Sequence, residues 1–368
     1  MKILIVIDSL GSGGAQRLKE NLAKAFTRHG HQVDIFIYVS GDQFYGDDFS
    51  SLGVKVLVAD KKGSGFSFQV VKQLRSIIKN GNYDGIISSM HAPSIYAALA
   101  KLGINQGSLV VCEESSSNAP VPTLRKFLFY LSTLVANYVV TNSYNEAKLL
   151  GRFPGISKKI STIWNGYEIQ PAPVGFERSN SRISKLLVVG RIAYPKNGLN
   201  LLKGLSLFLS RNGWAPEIQW AGRKDIDRRS LLMQEEMEQF LTENPDVASH
   251  FKMLGEVKGI EEFYKSSDAL MHVSIFEGLP NVICEAMLLG CPVIASNVCD
   301  HPKVIGQEER GLLCEPNSPE SICDAIERLE SMSVDKRTQM LFEARKFAEE
   351  NFDIEHMARE YEKLLIND

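Results

Sequence analysis

The sequence predicts an α/β protein of two doubly wound, Rossmann-like parallel-sheet domains facing each other across a cleft, and three observations carry that prediction. Short runs rich in Val, Ile and Leu alternate with amphipathic segments along nearly the whole chain. That is the pattern of strands buried on both faces and covered by helices. The rhythm breaks at Pro171–Ser184, a stretch of proline and polar residues, and then restarts. Finally, 368 residues is a length suited to two ordinary domains.

The elements follow in order. Lys2–Ile7 reads as a first strand, and Gly11-Ser12-Gly13-Gly14 as the loop after it. A helix with Leu18, Leu22, Ala25 and Phe26 on one face ends near Gly30, as a C-terminal glycine should. Val33–Val39 closes this first β-loop-α-β unit. Strands are expected next at Val54–Val58, Gly85–Ser89, Leu109–Cys112, Tyr138–Thr141 and Ser161–Ile163. The helices between them are Phe68–Lys79, Ser94–Lys101, Thr123–Ala136 and Tyr144–Leu150. Beyond the linker at 171–184, strands are expected at Lys185–Val189, Glu217–Ala221, Phe251–Met253, Ala269–His272, Pro292–Ala295 and Gly311–Cys314. Helices are expected at Leu199–Ser210, Leu231–Asn244, Ile260–Lys265, Asn281–Leu289, Ser321–Ser331, Asp335–Glu350 and Ile354–Leu365. The domains are accordingly 1–170 and 185–351, with 352–368 as a terminal helix.

Composition narrows the class. Hydrophobic residues at 44% and charged residues at 23% exclude a disordered or fibrous chain. The net charge of −3 is unevenly spread: residues 1–170 carry 18 Lys and Arg against 12 Asp and Glu, and residues 171–368 carry 23 against 32. This asymmetry fits a surface for an anionic partner, and equally two solvated surfaces of different composition. The acidic total and the lack of an aromatic-basic array argue against nucleic acid. The six cysteines show no metal-ligand spacing, and five lie in or beside apolar runs, so a reducing compartment, the cytosol, is expected. No segment is apolar for long enough to span a bilayer, and the apolar N-terminus is too short for a signal peptide.

Ligands of doubly wound sheets bind at the carboxyl ends of the strands, where loops enter helices. Three clusters fall there. Gly13 and Gly14 occupy the phosphate-loop position, but Gln16 stands where a dinucleotide fingerprint needs its third glycine. An acidic residue is also missing from the end of the second strand, so a dehydrogenase is not indicated. In Gly190-Arg191-Ile192-Ala193-Tyr194-Pro195-Lys196, two cations after a buried strand suit a diphosphate. In the third, Glu277-Gly278-Leu279-Pro280-Asn281 leads into a helix carrying Glu285. The helix start offers N–H groups to phosphate or sugar oxygens, and Glu285 suits a vicinal diol such as ribose.

The E-x7-E pair Glu277…Glu285 resembles the signature of retaining glycosyltransferase family four, which has the two-domain GT-B fold. Gly190, Arg191 and Lys196 resemble its G-R-x4-K, and Gly13-Gly14 its N-terminal glycine loop. Asn165-Gly166 with Glu168 resembles its PNGxD segment, with Trp164 and Glu168 in place of the usual Pro and Asp. The resemblance implies roles. Arg191 and Lys196 would hold the donor diphosphate, Glu285 the ribose, and the backbone near Glu256 and Val257 the base. Glu277 and the amides of Gly278, Leu279, Pro280-Asn281 would hold the transferring sugar, and His91 would lie near its reacting face. The implied activity moves a hexose or N-acetylhexosamine from a nucleotide diphosphate sugar, most commonly UDP-linked, to a glycan or lipid-linked acceptor. Anomeric configuration would be retained, with no metal or other cofactor. Surface polysaccharide or glycolipid synthesis is the setting implied, and the last helix would cross back to the N-terminal domain.

Acceptors in such enzymes bind the N-terminal domain. Pro120–Leu134 combines Arg125 and Lys126 with five consecutive apolar residues, which suits either peripheral docking on the inner membrane face or a buried helix. Two rival readings stay open on sequence: a sugar-nucleotide 2-epimerase of the same fold, and a non-catalytic sugar-binding subunit.

Overall fold

A computed structural model of the chain describes residues 1–11, 14–39, 49, 51–59, 61–63, 65–114, 123–168 and 182–366. The chain divides into two compact units, Met1–Glu168 with Asn351–Asp368, and Ile169–Glu350. Most of the linker expected at 171–184 lies outside the described residues.

In the first unit the strands are β1 (Lys2–Val6), β2 (Gln32–Ile37), β3 (Lys55–Val58), β4 (Gly85–Ser89), β5 (Ser108–Glu113), β6 (Tyr138–Thr141) and β7 (Ile160–Thr162). They form one parallel sheet in the order β3-β2-β1-β4-β5-β6-β7. The strand alternation splits its core in two. Ile3 and Ile5 face one layer with Leu18, Leu22 and Phe26, while Leu4 and Val6 face the other with Leu74, Ile78 and Tyr96.

The final helix, Ile354–Ile366, belongs to this first unit. Its Ile354, Met357, Tyr361 and Leu365 recur at helical spacing and join the layer of Leu22 and Phe26. Burying each such side chain is worth roughly 1.5–3 kcal/mol. A polar clasp runs alongside. Arg28 pairs with Glu168 and Glu355 at 2.6 Å each, His29 with Glu355 (2.5 Å) and Glu362 (2.6 Å), and His31 with Glu362 (3.0 Å).

The second unit repeats the plan with β8 (Lys185–Val189), β9 (Glu217–Ala221), β10 (Phe251–Gly255), β11 (Ala269–His272), β12 (Val293–Ser296) and β13 (Leu312–Cys314). These are parallel in the order β10-β9-β8-β11-β12-β13. Trp220, Phe208, Leu201, Leu205 and Ile322 fill its core. In both sheets the order reverses beside the first strand, between β1 and β4 and between β8 and β11, and ligands of doubly wound sheets bind at such points.

Several element ends differ from expectation. The helix expected from Ser94 begins at His91, because Pro93 lies in the first turn, where its missing N–H is no loss. Short helices at Pro245–Ala248 and His301–Ile305, each with Pro in its first turn, and a 3-10 turn at Tyr194–Lys196 are additional. Each is too brief to show a periodicity.

Candidate functional site

The second unit's site is built at the carboxyl ends of β8, β9, β11 and β12. Gly190 follows β8 with a φ of 135°, and its carbonyl accepts from Trp220 Nε1 at 2.8 Å. Gly222 follows β9, and a Cβ there would lie 2.0 Å from the Gly190 oxygen, so only glycine lets the two loops close on each other. Past this junction Arg191 is largely exposed, its guanidinium 2.5 Å from Asp225 Oδ2. The turn Tyr194–Lys196 then carries Lys196 back over the sheet, to 2.5 Å from Glu277 Oε1.

Glu277 sits in the loop from β11 to the helix Asn281–Leu288. That loop is fixed on both sides. Ile275 N donates to Pro195 O at 2.8 Å, and Ser296 Oγ, at the end of β12, donates to Ser274 O at 2.5 Å. Ser274 Oγ donates to Glu277 Oε1 at 2.9 Å, and His272 Nε2 lies 3.2 Å from that hydroxyl. Burial pushes the Glu277 carboxyl up, but the adjoining Lys196 cation and the contact with His272 outweigh it and hold the group well below the usual carboxylate range. Burial and Lys196 push His272 down, and burial pushes His301, behind it, down to about 3. The site therefore combines an ionised carboxylate, a lysine cation and two neutral imidazoles.

Gly278, Leu279 and Pro280 are buried, and Pro280 leads into the helix as its N-cap. Glu285, also buried, accepts a hydrogen bond from Tyr264 OH at 3.0 Å. Val257 is half-buried and Glu256 exposed in the loop after β10.

In the first unit, Gly14 opens the helix Gly14–Arg28 and is exposed, whereas Gly13 lies outside the described residues. His91 follows β4, is nearly buried, and its Nε2 stands 2.6 Å from Glu113 Oε2 at the end of β5. Phe129 packs against the ring at 4.3 Å between centroids. Beside it, Lys19 is buried over the Tyr361 ring and pairs with Glu114, which also accepts from Ser89 Oγ at 3.0 Å.

The structure thus brings Lys196 and Glu277 into contact and gives Arg191 a separate partner. The sequence reading did not foresee Asp225, Tyr264, Glu113, His272 or Ser274. Ser274 lies inside the Glu277 motif, and His272 and Glu113 end strands at the ligand-facing edge, which is the signal that could have found them. The other two, Asp225 and Tyr264, depend on pairings between segments distant in sequence.

Family models match both halves, Glycosyltransferase Family 4 over residues 12–170 and Glycosyl transferases group 1 over residues 177–347. The chain is a glycosyltransferase of this superfamily. Its sheet orders and its neighbours among solved structures make the fold GT-B. The amylovoran biosynthesis glycosyltransferase AmsD of Erwinia amylovora is 27% identical over 84% of each chain. An α-1,4-N-acetyl-D-galactosaminyltransferase of Campylobacter jejuni, acting on an undecaprenol-linked glycan, is 24% identical over 99% of this chain and 98% of its own. Among solved structures, Anabaena HepE, crystallised with UDP and glucose, superposes with a TM-score of 0.81 at 19% identity, covering 99% of both chains. Relatives of this glycosyltransferase therefore build polysaccharides and glycolipids.

Proposed function

We propose that this glycosyltransferase moves a hexose or N-acetylhexosamine from a nucleotide diphosphate sugar, UDP-linked by preference, to a glycan or lipid-linked acceptor, with retention at the anomeric carbon. The observation that carries the reading is the Lys196–Glu277 pair at the carboxyl edge of the second sheet. It sets a cation for a diphosphate beside an ionised carboxylate for sugar hydroxyls. Glu285, one turn into the adjoining helix, suits the ribose diol, and the loop at Val257 the base.

As the bond from C1 to the diphosphate oxygen breaks, its electron pair stays with the nucleotide. Lys196, Arg191 and the N–H groups at Asn281 stabilise the growing negative charge. The acceptor hydroxyl attacks C1 on the face the diphosphate leaves, and its proton passes to the departing phosphate. Charge neutralisation by side chains is what this scheme requires of the site, with no metal assigned a role. Within the first unit, Glu113 fixes the His91 ring.

The helix Thr123–Val135 supports a lipid-linked acceptor. Leu124, Phe127, Leu131 and Leu134 are exposed at a spacing that lines one helix face, while Ser132 and Thr133 are buried. Arg125 and Lys126 lie among them, as suits peripheral binding to the anionic inner face of a membrane. Among the described residues no helix is long and apolar enough to cross a membrane. All six cysteines are free, which fits a cytoplasmic setting. Release of nucleotide diphosphate from UDP-hexoses with a polyprenyl-linked glycan tests the reading. Transfer supports it, while epimerisation of the sugar or no turnover refutes it.

A further inference from the structure

We infer that Ser274, backed by His272, is the positioning residue that holds Glu277 by one oxygen and leaves the other to receive a hydroxyl of the donor sugar. The inference rests on the donor reading above and deepens it to a specific carboxylate oxygen.

Three contacts reach the Glu277 carboxylate, and all converge on Oε1: Lys196 Nζ at 2.5 Å, Ser274 Oγ at 2.9 Å and His272 Nε2 at 3.5 Å. Among the described residues no hydrogen bond is given to Oε2. Two donors on one oxygen fix the plane of the carboxylate, because rotation would break both. A serine hydroxyl has one proton. When Ser274 gives it to Glu277, its oxygen is left to accept, and His272 Nε2 is within reach at 3.2 Å. His272 therefore carries its proton on Nε2, completing a relay from His272 N–H to Ser274 O–H to Glu277 Oε1.

The relay is rigid at its base. Ser274 is fully buried and His272 nearly so. Ser296 Oγ donates to the Ser274 carbonyl, and His301 Nδ1 donates to the Ser296 carbonyl at 2.8 Å. Neutral imidazoles suit this arrangement, since a second cation behind Glu277 would compete with Lys196 for the same oxygen. The unengaged Oε2 is an acceptor, and the hydroxyls of a hexose are the donors it would take. The nucleotide has no need of Ser274, so its loss should be felt in the sugar alone.

The test measures dissociation constants of the full-length chain for UDP, GDP and ADP and for their glucose conjugates, with UDP-N-acetylglucosamine added. Ser274→Ala should weaken the bound sugar conjugate about tenfold and leave the free nucleotide within about twofold. Ser274→Thr, which keeps the hydroxyl, should restore the conjugate. His272→Gln, which keeps a donor near the Nε2 position, should resemble wild type, and His272→Asn should resemble Ser274→Ala; this pair decides the matter if Ser274→Ala does not fold. Equal weakening of nucleotide and conjugate, or no weakening of either, overturns the positioning role while the donor reading stands. If wild type binds none of the nucleotides or conjugates, the donor reading fails and this inference with it.

Discussion

Lys196 Nζ and Glu277 Oε1 stand 2.5 Å apart, bringing together a cation and a carboxylate that the family resemblance assigns to different parts of one ligand. The ion pair keeps Glu277 ionised in a half-buried loop and keeps the lysine over the sheet edge. Neither residue is near its partner in sequence. The 3-10 turn at Tyr194–Lys196 and the hydrogen bond from Ile275 N to Pro195 O make the meeting possible.

Lys196→Ala should cost roughly a hundredfold or more in kcat, the usual effect of removing one group aimed at developing charge. Lys196→Arg should recover little, because a planar guanidinium cannot occupy the space of a point cation. Steady-state kinetics of nucleotide release measure both. Unchanged kcat in Lys196→Ala would remove this residue from the mechanism.

Tyr264→Phe should destabilise the second unit by about 1 kcal/mol, the net worth of a hydrogen bond, because buried Glu285 loses a donor. For a unit of this size that is a fall of roughly 2–4 °C in Tm. Calorimetry checks it.

Gly222→Ala places a Cβ 2.0 Å from the Gly190 oxygen, against backbone that cannot swing aside. The loops after β8 and β9 must separate, carrying Arg191 with them. A loss of at least about 2–3 kcal/mol is expected from this clash and strain, read by urea unfolding, together with loss of activity.

The clasp on the final helix predicts a pH dependence. Hydrogen bonds donated to Glu362 and Glu355 raise the His29 pKa, with Arg28, Glu168 and His31 as the other charged or titratable neighbours. A raised folded value means the stabilisation is complete below the unfolded value of about 6.5 and is lost as pH rises through the folded one. Burial pushes Glu355 up, but Arg28 and His29 outweigh it and its pKa is lowered, so its contribution is lost as pH falls through that lowered value. Tm against pH should therefore decline on both sides, and His29→Gln should flatten the alkaline side and, because His29 helps to lower the Glu355 pKa, soften the acid side as well.

If the exposed helix face docks on lipid, Leu124→Ser with Phe127→Ser should reduce cosedimentation with anionic vesicles and leave soluble-acceptor turnover unchanged. Binding should also weaken with salt, since each basic residue near such a surface is worth about 1 kcal/mol.

The strand-helix alternation made both sheets legible in sequence, because buried parallel strands are continuous apolar runs. The Glu277–Asn281 segment was legible because Gly278 and Pro280 mark a tight entry into a helix. The local partners were not legible. Asp225 reaches Arg191, and Glu113 reaches His91, through strand neighbours set by sheet order rather than by sequence distance. The helix Thr123–Val135 leaves a choice open in sequence: its apolar residues suit either a docking or a core face, and packing alone decides that part of that face is exposed while two hydroxyl side chains are buried.

The most direct test is a thermal-shift measurement with UDP, GDP, ADP and their hexose conjugates on wild type and Glu285→Ala. A ligand at a hundred times its dissociation constant adds about 2.7 kcal/mol of stability. That is a rise on the order of 5–10 °C for a unit of this size. The account predicts that one nucleotide and its conjugate raise the Tm of wild type and fail to raise that of Glu285→Ala. No rise with any of them, or an equal rise in both proteins, would contradict a donor site at Glu277 and Glu285.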